Sequence, residues 1–143
     1  MRYDMDSIER TAFLDRSSPA MLAFVGTAFE DGAPHVVPVW FRWDGSSLSI
    51  WTHEDRPWVR NLRRDPRVTI VIAEDEPPFA GVTMQGTVET RTVDDDETMA
   101  EIRAITQRYL PAEEVDAYVA GWPNLRTIAR LRPDRIRAWS RGY

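Results

Sequence analysis

The sequence predicts a mainly β domain of the α+β class, six antiparallel strands curled toward a barrel with short flanking helices. Three observations carry this. Apolar runs that are continuous, alternating or β-branched recur at short intervals. Asp31-Gly32 and Asp44-Gly45 separate the first three runs, where hairpin turns belong. Helical periodicity is confined to short stretches near the start, in the middle and after residue 94. A barrel closes the exposed edges that six short strands otherwise leave.

The elements follow in order. Residues 6–16 form a short amphipathic helix capped by Asp6 or Ser7, and Ser17-Ser18-Pro19 ends it. Residues 21–29 are a nearly continuous apolar run, read as a buried strand. The second strand covers 35–43 and the third 47–53. A short helix follows over 56–65: Pro57 suits its first position, where a missing N–H costs nothing. Asp65-Pro66 ends it, because the residue before proline avoids the α region. Residues 67–73 are a β-branched strand and 74–78 an exposed loop. Residues 79–91 make a long strand whose Gly81 and Gly86 mark bulges or close backbone approach.

Asp94, Asp95, Asp96 and Glu97 then open a helix where its dipole favours acids. Met99, Ile102, Ile105 and Tyr109 form its apolar face, and Pro111 stops it. A shorter helix around 113–120 carries Val115, Tyr118 and Val119. Residues 124–139 return as a final strand, interrupted at Arg132-Pro133-Asp134. No repeat or linker divides the chain, so residues 1–143 are expected to be one domain with a real core.

Composition narrows the chemistry. The chain has no cysteine, which excludes disulfides, thiolate metal sites and a cysteine nucleophile. All 18 basic residues are arginine, so no lysine Schiff base can form. A net charge of −5 argues against a nucleic-acid partner, which demands a broadly basic face. There is no apolar run of about 18 residues, and the first residues lack a signal-peptide core, so a cytoplasmic protein with no membrane partner is expected. His35 and His53 are the only histidines and have no clustered carboxylates, so no metal site is expected. Nucleophile-elbow, P-loop and dinucleotide-binding motifs are missing, and no catalytic side chain is assigned.

Two stretches suggest a ligand. Around the middle helix, Arg56, Arg60, Arg63 and Arg64 fall on one side of a helical wheel, with Trp58 and Leu62 on the other. A helix start beside arginines is a ready anion site, and a solvated arginine face pinned by Trp58 and Leu62 is the other reading. In the second strand Pro38 cannot donate a ladder hydrogen bond, which marks an edge or a strand facing something else. Alternation puts Val37, Val39, Phe41 and Trp43 on one face and Val36, Pro38, Trp40 and Arg42 on the other. Pro38 and Trp40 offer a wall for a ring-shaped ligand, with core or dimer packing as the alternative. The third strand ends at Thr52 and His53, bringing a hydroxyl and an imidazole to the helix start.

These stretches resemble a known family. Residues 26–41, Trp51-Thr52 and the run Arg60-Asn61-Leu62-Arg63-Arg64-Asp65-Pro66-Arg67-Val68 are similar to the pyridoxamine 5′-phosphate oxidase-like flavin-binding proteins, in particular their actinobacterial flavin/deazaflavin oxidoreductase branch. Residues 81–89 and 133–139 also fit. The resemblance implies a split β-barrel (the FMN-binding split barrel) and a homodimer with two sites between subunits. It implies F-420 or FMN as cofactor and hydride transfer to or from a small organic substrate. The ring would lie along Val37, Pro38, Val39 and Trp40. The phosphate would meet the region of Thr52, His53, Arg56, Trp58, Arg60, Asn61 and Leu62, with Arg56, Arg60 and Asn61 as its main contacts. Many relatives carry a phosphate-binding lysine two residues after the position of Arg56, where this chain has Trp58. The alternative is a non-catalytic dimer that carries or senses a flavin, a haem or another aromatic ligand on the same wall.

Overall fold

The computed structural model describes residues 4–92, 94–122 and 125–142. Helix α1 (Ser7–Leu14) starts at Asp6, whose carboxylate accepts from the Glu9 N–H while the Glu9 carboxylate accepts from the Asp6 N–H. Strands β1 (Ala23–Ala28) and β2 (Pro34–Val39) form a hairpin whose turn places Gly32 at φ 88°. Strand β3 (Arg42–Trp43) turns through Asp44 and Gly45 (φ 101°) into β4 (Leu48–His53). Asp44 Oδ1 accepts from the Ser46 and Ser47 N–H groups and holds that turn. Helix α2 (Pro57–Arg64) leads to β5 (Arg67–Ala73) and to the long β6 (Gly81–Arg91). Helices α3 (Asp96–Thr106) and α4 (Ala112–Ala120) precede β7 (Arg126–Leu131) and β8 (Arg135–Trp139). The expected start of the last strand, residue 124, lies outside the described residues.

The six expected runs appear as eight strands, because two of them are each broken once. All the pairings between named strands are antiparallel, in the order β2-β1-β5-β6-β7-β4-β3 with β8 also on β6. β6 is the spine of this curled half-barrel. Its first part pairs with β5 on one edge and β8 on the other, and its end pairs with β7. β7 and β8 follow the same edge of β6. From Gln85 to Val88 the spine advances three residues, while its partner advances four, from Leu131 to Arg135. The interruption at Arg132, Pro133 and Asp134 is therefore a bulge, and it bends the sheet from one wing to the other.

Both spine glycines are close approaches, as expected. A Cβ on Gly86 would sit 2.9 Å from Leu131 and 3.2 Å from the Asp134 nitrogen. A Cβ on Gly81 would sit 2.4 Å from the Trp139 ring. The main core fills the concave side with Val25, Phe41, Leu48, Val59, Ile70, Ile72, Met84 and Leu131. A second core of Trp51, Ile102, Ile105, Val119 and Ile128 lies between β4 and β7 and the helices α3 and α4. β4 is thus covered on both faces, which is why its burial does not alternate.

The second break, at Trp40 and Phe41, lets the chain pass from β2 on one wing to β3 on the other. Phe41 is fully buried there, with no neighbouring strand to pair with its backbone. Side chains after α3 do so instead. The Tyr109 hydroxyl accepts from the Phe41 N–H at 3.1 Å and donates to the Met21 carbonyl at 2.7 Å. The Arg108 guanidinium donates to the carbonyls of Phe41, Leu14 and Arg16. Burial pushes the Tyr109 phenol above its ordinary range, so it stays a neutral donor. Tyr109→Phe leaves the Phe41 N–H buried and unpaired. It should cost about 1–3 kcal/mol of stability, read from urea unfolding.

Candidate functional site

A cavity of about 420 Å³ opens where the end of β2, the end of β4, the start of α2 and the end of α4 meet. That volume falls within the range of small-molecule sites. β2 is the last strand of its wing and pairs only with β1. Its free edge borders the cavity, so side chains from both of its faces reach the rim. Pro38 sits in this edge strand, where a missing N–H disrupts no ladder.

Eight of the residues singled out from the sequence line this cavity: Val37, Pro38, Val39 and Trp40 from the β2 segment, Thr52 and His53 from β4, and Arg56 and Trp58 at α2. Trp58 is 4% exposed and belongs to the main core as well as the cavity wall. Three others point elsewhere. Arg60 is exposed and donates to the Asp55 carbonyl at 2.9 Å. Asn61 is buried, donates to Thr27 Oγ1 at 3.1 Å and accepts from Arg64. Leu62 is buried in the main core. The wheel reading of α2 explains this: Trp58, Val59, Asn61 and Leu62 form its buried side, and Arg56, Arg60, Arg63 and Arg64 its exposed side.

The sequence reading missed the rest of the wall. Trp51, Tyr118 and Trp122 line the cavity, with His35 from the start of β2. Tyr118 and Trp122 are four residues apart, so one face of the α4 region presents both. Tyr118 packs on Trp40 with ring centres 5.2 Å apart and meets Trp51 edge-on at 6.1 Å. Tyr109 stacks on Trp40 at 4.9 Å from behind. The Trp51 N–H donates to Thr106 Oγ1 at 2.9 Å, which pins the indole to α3. The signal was present as a Tyr118-x-x-x-Trp122 spacing, but on a short helix it reads equally well as core.

The polar end carries two further features. No side chain caps α2, and Pro57 stands at its first turn beside Arg56. His53 stacks on Trp122 at 4.8 Å, and neither of its ring nitrogens has a hydrogen-bond partner although both are buried. The nearest acid, Asp55, lies 3.8 Å from Nδ1, beyond bonding distance. Leaving such a group unpaired costs about 1–3 kcal/mol. His35 Nδ1 is likewise buried and unpaired. A flat aromatic wall, orphaned imidazole nitrogens and one arginine fit a planar ring with an anionic arm, which is the chemistry of F-420 and FMN. Among the described residues, no group of acids and histidines is arranged to hold a metal.

Comparison with known proteins agrees with this architecture. A family model described as pyridoxamine 5′-phosphate oxidase matches residues 9–140. No curated protein gives a significant match to the sequence. Among solved structures, a conserved hypothetical protein of Mycobacterium tuberculosis, Rv2991, superposes with a TM-score of 0.78 at 25% identity, covering 96% of this chain and 86% of that one. An F420 reductase superposes at 0.66 with 26% identity, covering 87% of this chain and 93% of that one. HutZ, the heme storage protein of Vibrio cholerae, superposes at 0.74 with 19% identity over 99% and 98% of the two chains, which shows a shared fold. With a family match that spans the sheet and every residue around the cavity, the chain belongs to the pyridoxamine 5′-phosphate oxidase-like split-barrel family.

Proposed function

We propose that this chain is an oxidoreductase that binds F-420 or FMN in the cavity beside β2 and transfers a hydride to or from a small organic substrate. The observation that carries the reading is the union, in one cavity, of an aromatic wall with a single arginine at the start of α2. The 26% identity to an F420 reductase supports the deazaflavin. When bound, the cofactor supplies the hydride chemistry. The residues of this chain orient it and exclude water. Trp40, stacked on Tyr109 and packed against Tyr118, makes a rigid part of the wall. Trp51 and Tyr118 extend that wall, and Arg56 would hold the anionic arm by a charge-assisted contact.

The same reading includes a homodimer. Phe24 and Val36 are 45% and 61% exposed on the outer face of the β1–β2 hairpin, and Pro38 stands opposite Phe24 in the register. A contiguous apolar patch beside an open strand edge suits a second copy of the chain. That copy would cover the β2 edge and complete the site.

A second reading uses the same cavity without turnover. The unpaired nitrogens of His35 and His53 favour it, because imidazole is a common ligand for the iron of a haem. In that case the protein is a carrier or sensor.

Titration with FMN and with F-420, followed by tryptophan quenching, separates these. Micromolar binding with turnover of the reduced cofactor supports the oxidoreductase, and binding without turnover supports the carrier. No binding of either cofactor removes the first reading. Arg56→Ala should weaken the bound cofactor by about 1.5–3 kcal/mol, while Arg60→Ala, on the outer face, should change affinity little. In sedimentation, the wild type should run as a dimer and the double variant Phe24→Glu, Val36→Glu as a monomer; a monomeric wild type removes the dimer.

A further inference from the structure

Among the described residues, β2 pairs only with β1, and the turn of that hairpin settles which backbone groups face the free edge. The Phe29 N–H donates to the Ala33 carbonyl at 2.9 Å, and this pair continues the β1–β2 register. In an antiparallel ladder, pairs that exchange hydrogen bonds alternate with pairs that do not. Thr27–His35, Val25–Val37 and Ala23–Val39 are therefore the bonded pairs. The backbone groups of Pro34, Val36 and Pro38 turn the other way, toward the free edge. Proline has no N–H, so this edge presents the carbonyls of all three residues and only the Val36 N–H as a donor.

An incoming strand needs a donor and an acceptor at every second residue. On β2 it finds a donor only at Val36, with a pyrrolidine ring in place of the N–H on either side. The side-chain face of the hairpin is different. Phe24 and Val36 stand exposed on its outer side. Gly26, between Phe24 and Ala28 on β1, has no side chain there, and a hollow of about 660 Å³ opens beside it, lined in part by Ala28, Pro34, Val36 and Thr69. A two-fold contact needs a surface that complements itself, and exposed apolar side chains beside a hollow provide one.

We propose that Pro34 and Pro38 block strand addition at β2, so that a second copy of the chain meets the hairpin through its outer side-chain face and leaves the β2 edge unpaired. The identity of the occupant rests on the dimer reading above, while the block is a property of the single chain. The second copy overhangs the edge without bonding to it. Pro38 also lines the cavity, so an edge closed to strands stays open to a ligand.

Sedimentation velocity on the ligand-free protein tests the block. The double variant Pro34→Thr, Pro38→Val restores both N–H groups and adds a second self-contact. It should sediment at about twice the wild-type mass or more. This holds whether the wild type is a monomer or a dimer, so failure of the dimer reading is seen separately, in the mass of the wild type. Slow exchange of the Val25 and Val37 amides shows that the variant is folded, and a folded variant of wild-type mass overturns the block. The wild type answers the same question without substitution. In a mixture of labelled and unlabelled chains, isotope-filtered NMR should show contacts from the Phe24 ring or the Val36 methyls of one copy to the outer face of the other. Amide-to-amide contacts between two β2 strands overturn the proposal. A monomeric wild type removes the second copy, and the double variant then decides the block alone.

Discussion

Phe41 crosses the core with no strand beside it, and the side chains of Arg108 and Tyr109 hold it there. A buried backbone segment must find partners for its N–H and C=O groups, or the fold loses the free energy of each. Here the partners come from the turn after α3. Arg108 also gathers the carbonyls of Leu14 and Arg16, and Tyr109 that of Met21. Three separate stretches of chain are thereby tied to one point. That knot lets β2 leave the sheet as a free edge, and the free edge is what opens the cavity. The same tyrosine ring backs Trp40, so the constraint that satisfies the backbone also sets the angle of the cavity wall.

The bend of β6 is the complementary constraint. Its first part belongs to the β1–β5–β8 wing and its end to the β7–β4–β3 wing. The extra residue opposite Gly86 turns one wing against the other, and a Cβ at Gly86 would crowd the bulge at Asp134 and Arg132. This places the ends of β2 and β4 on either side of α2. Thr52, His53 and Arg56 thus reach the same cavity as Pro38, though they are far apart in sequence. Site and fold are coupled here through two departures from regular pairing, one at Phe41 and one at Asp134.

Those departures mark what could be read in advance. Continuous and alternating apolar runs locate nearly every strand, because burial of one or both faces writes a local period. Pro38, Gly81, Gly86 and Arg132-Pro133-Asp134 announce an edge, two close approaches and a break, since each residue type restricts the backbone by itself. The α2 wheel also separates the buried residues from the arginines. The break at Trp40 and Phe41 has no such mark. It depends on Arg108 and Tyr109, more than sixty positions away, and a long-range hydrogen bond leaves no local pattern. Tyr118 and Trp122 were hidden for a related reason: at helical spacing an aromatic that lines a cavity and one that fills a core look alike. Asn61 misled in the opposite direction. Its family motif suggests a ligand contact, yet here the amide is spent inside the protein on Thr27 and Arg64.

Trp58 shapes the balance of forces beside the cavity. Its indole belongs to the main core, with Val59 and Leu62, and also lines the cavity wall. The cavity is a wall of rings with one guanidinium at its end, so any ligand it takes would be held more by stacking and shape than by Coulomb attraction. Stacking accepts many planar rings, because each has a π-face, and discriminates among them weakly. Selectivity must then come from the few polar groups that a ring cannot satisfy by lying flat: the Arg56 guanidinium and the unpaired imidazole nitrogens. Buried polar atoms without partners reject ligands that leave them unpaired and favour those that complete them. Among the described residues lining the cavity, the groups able to set such selectivity are His53 and Arg56 at its β4–α2 end and His35 on β2, which the aromatic wall only frames.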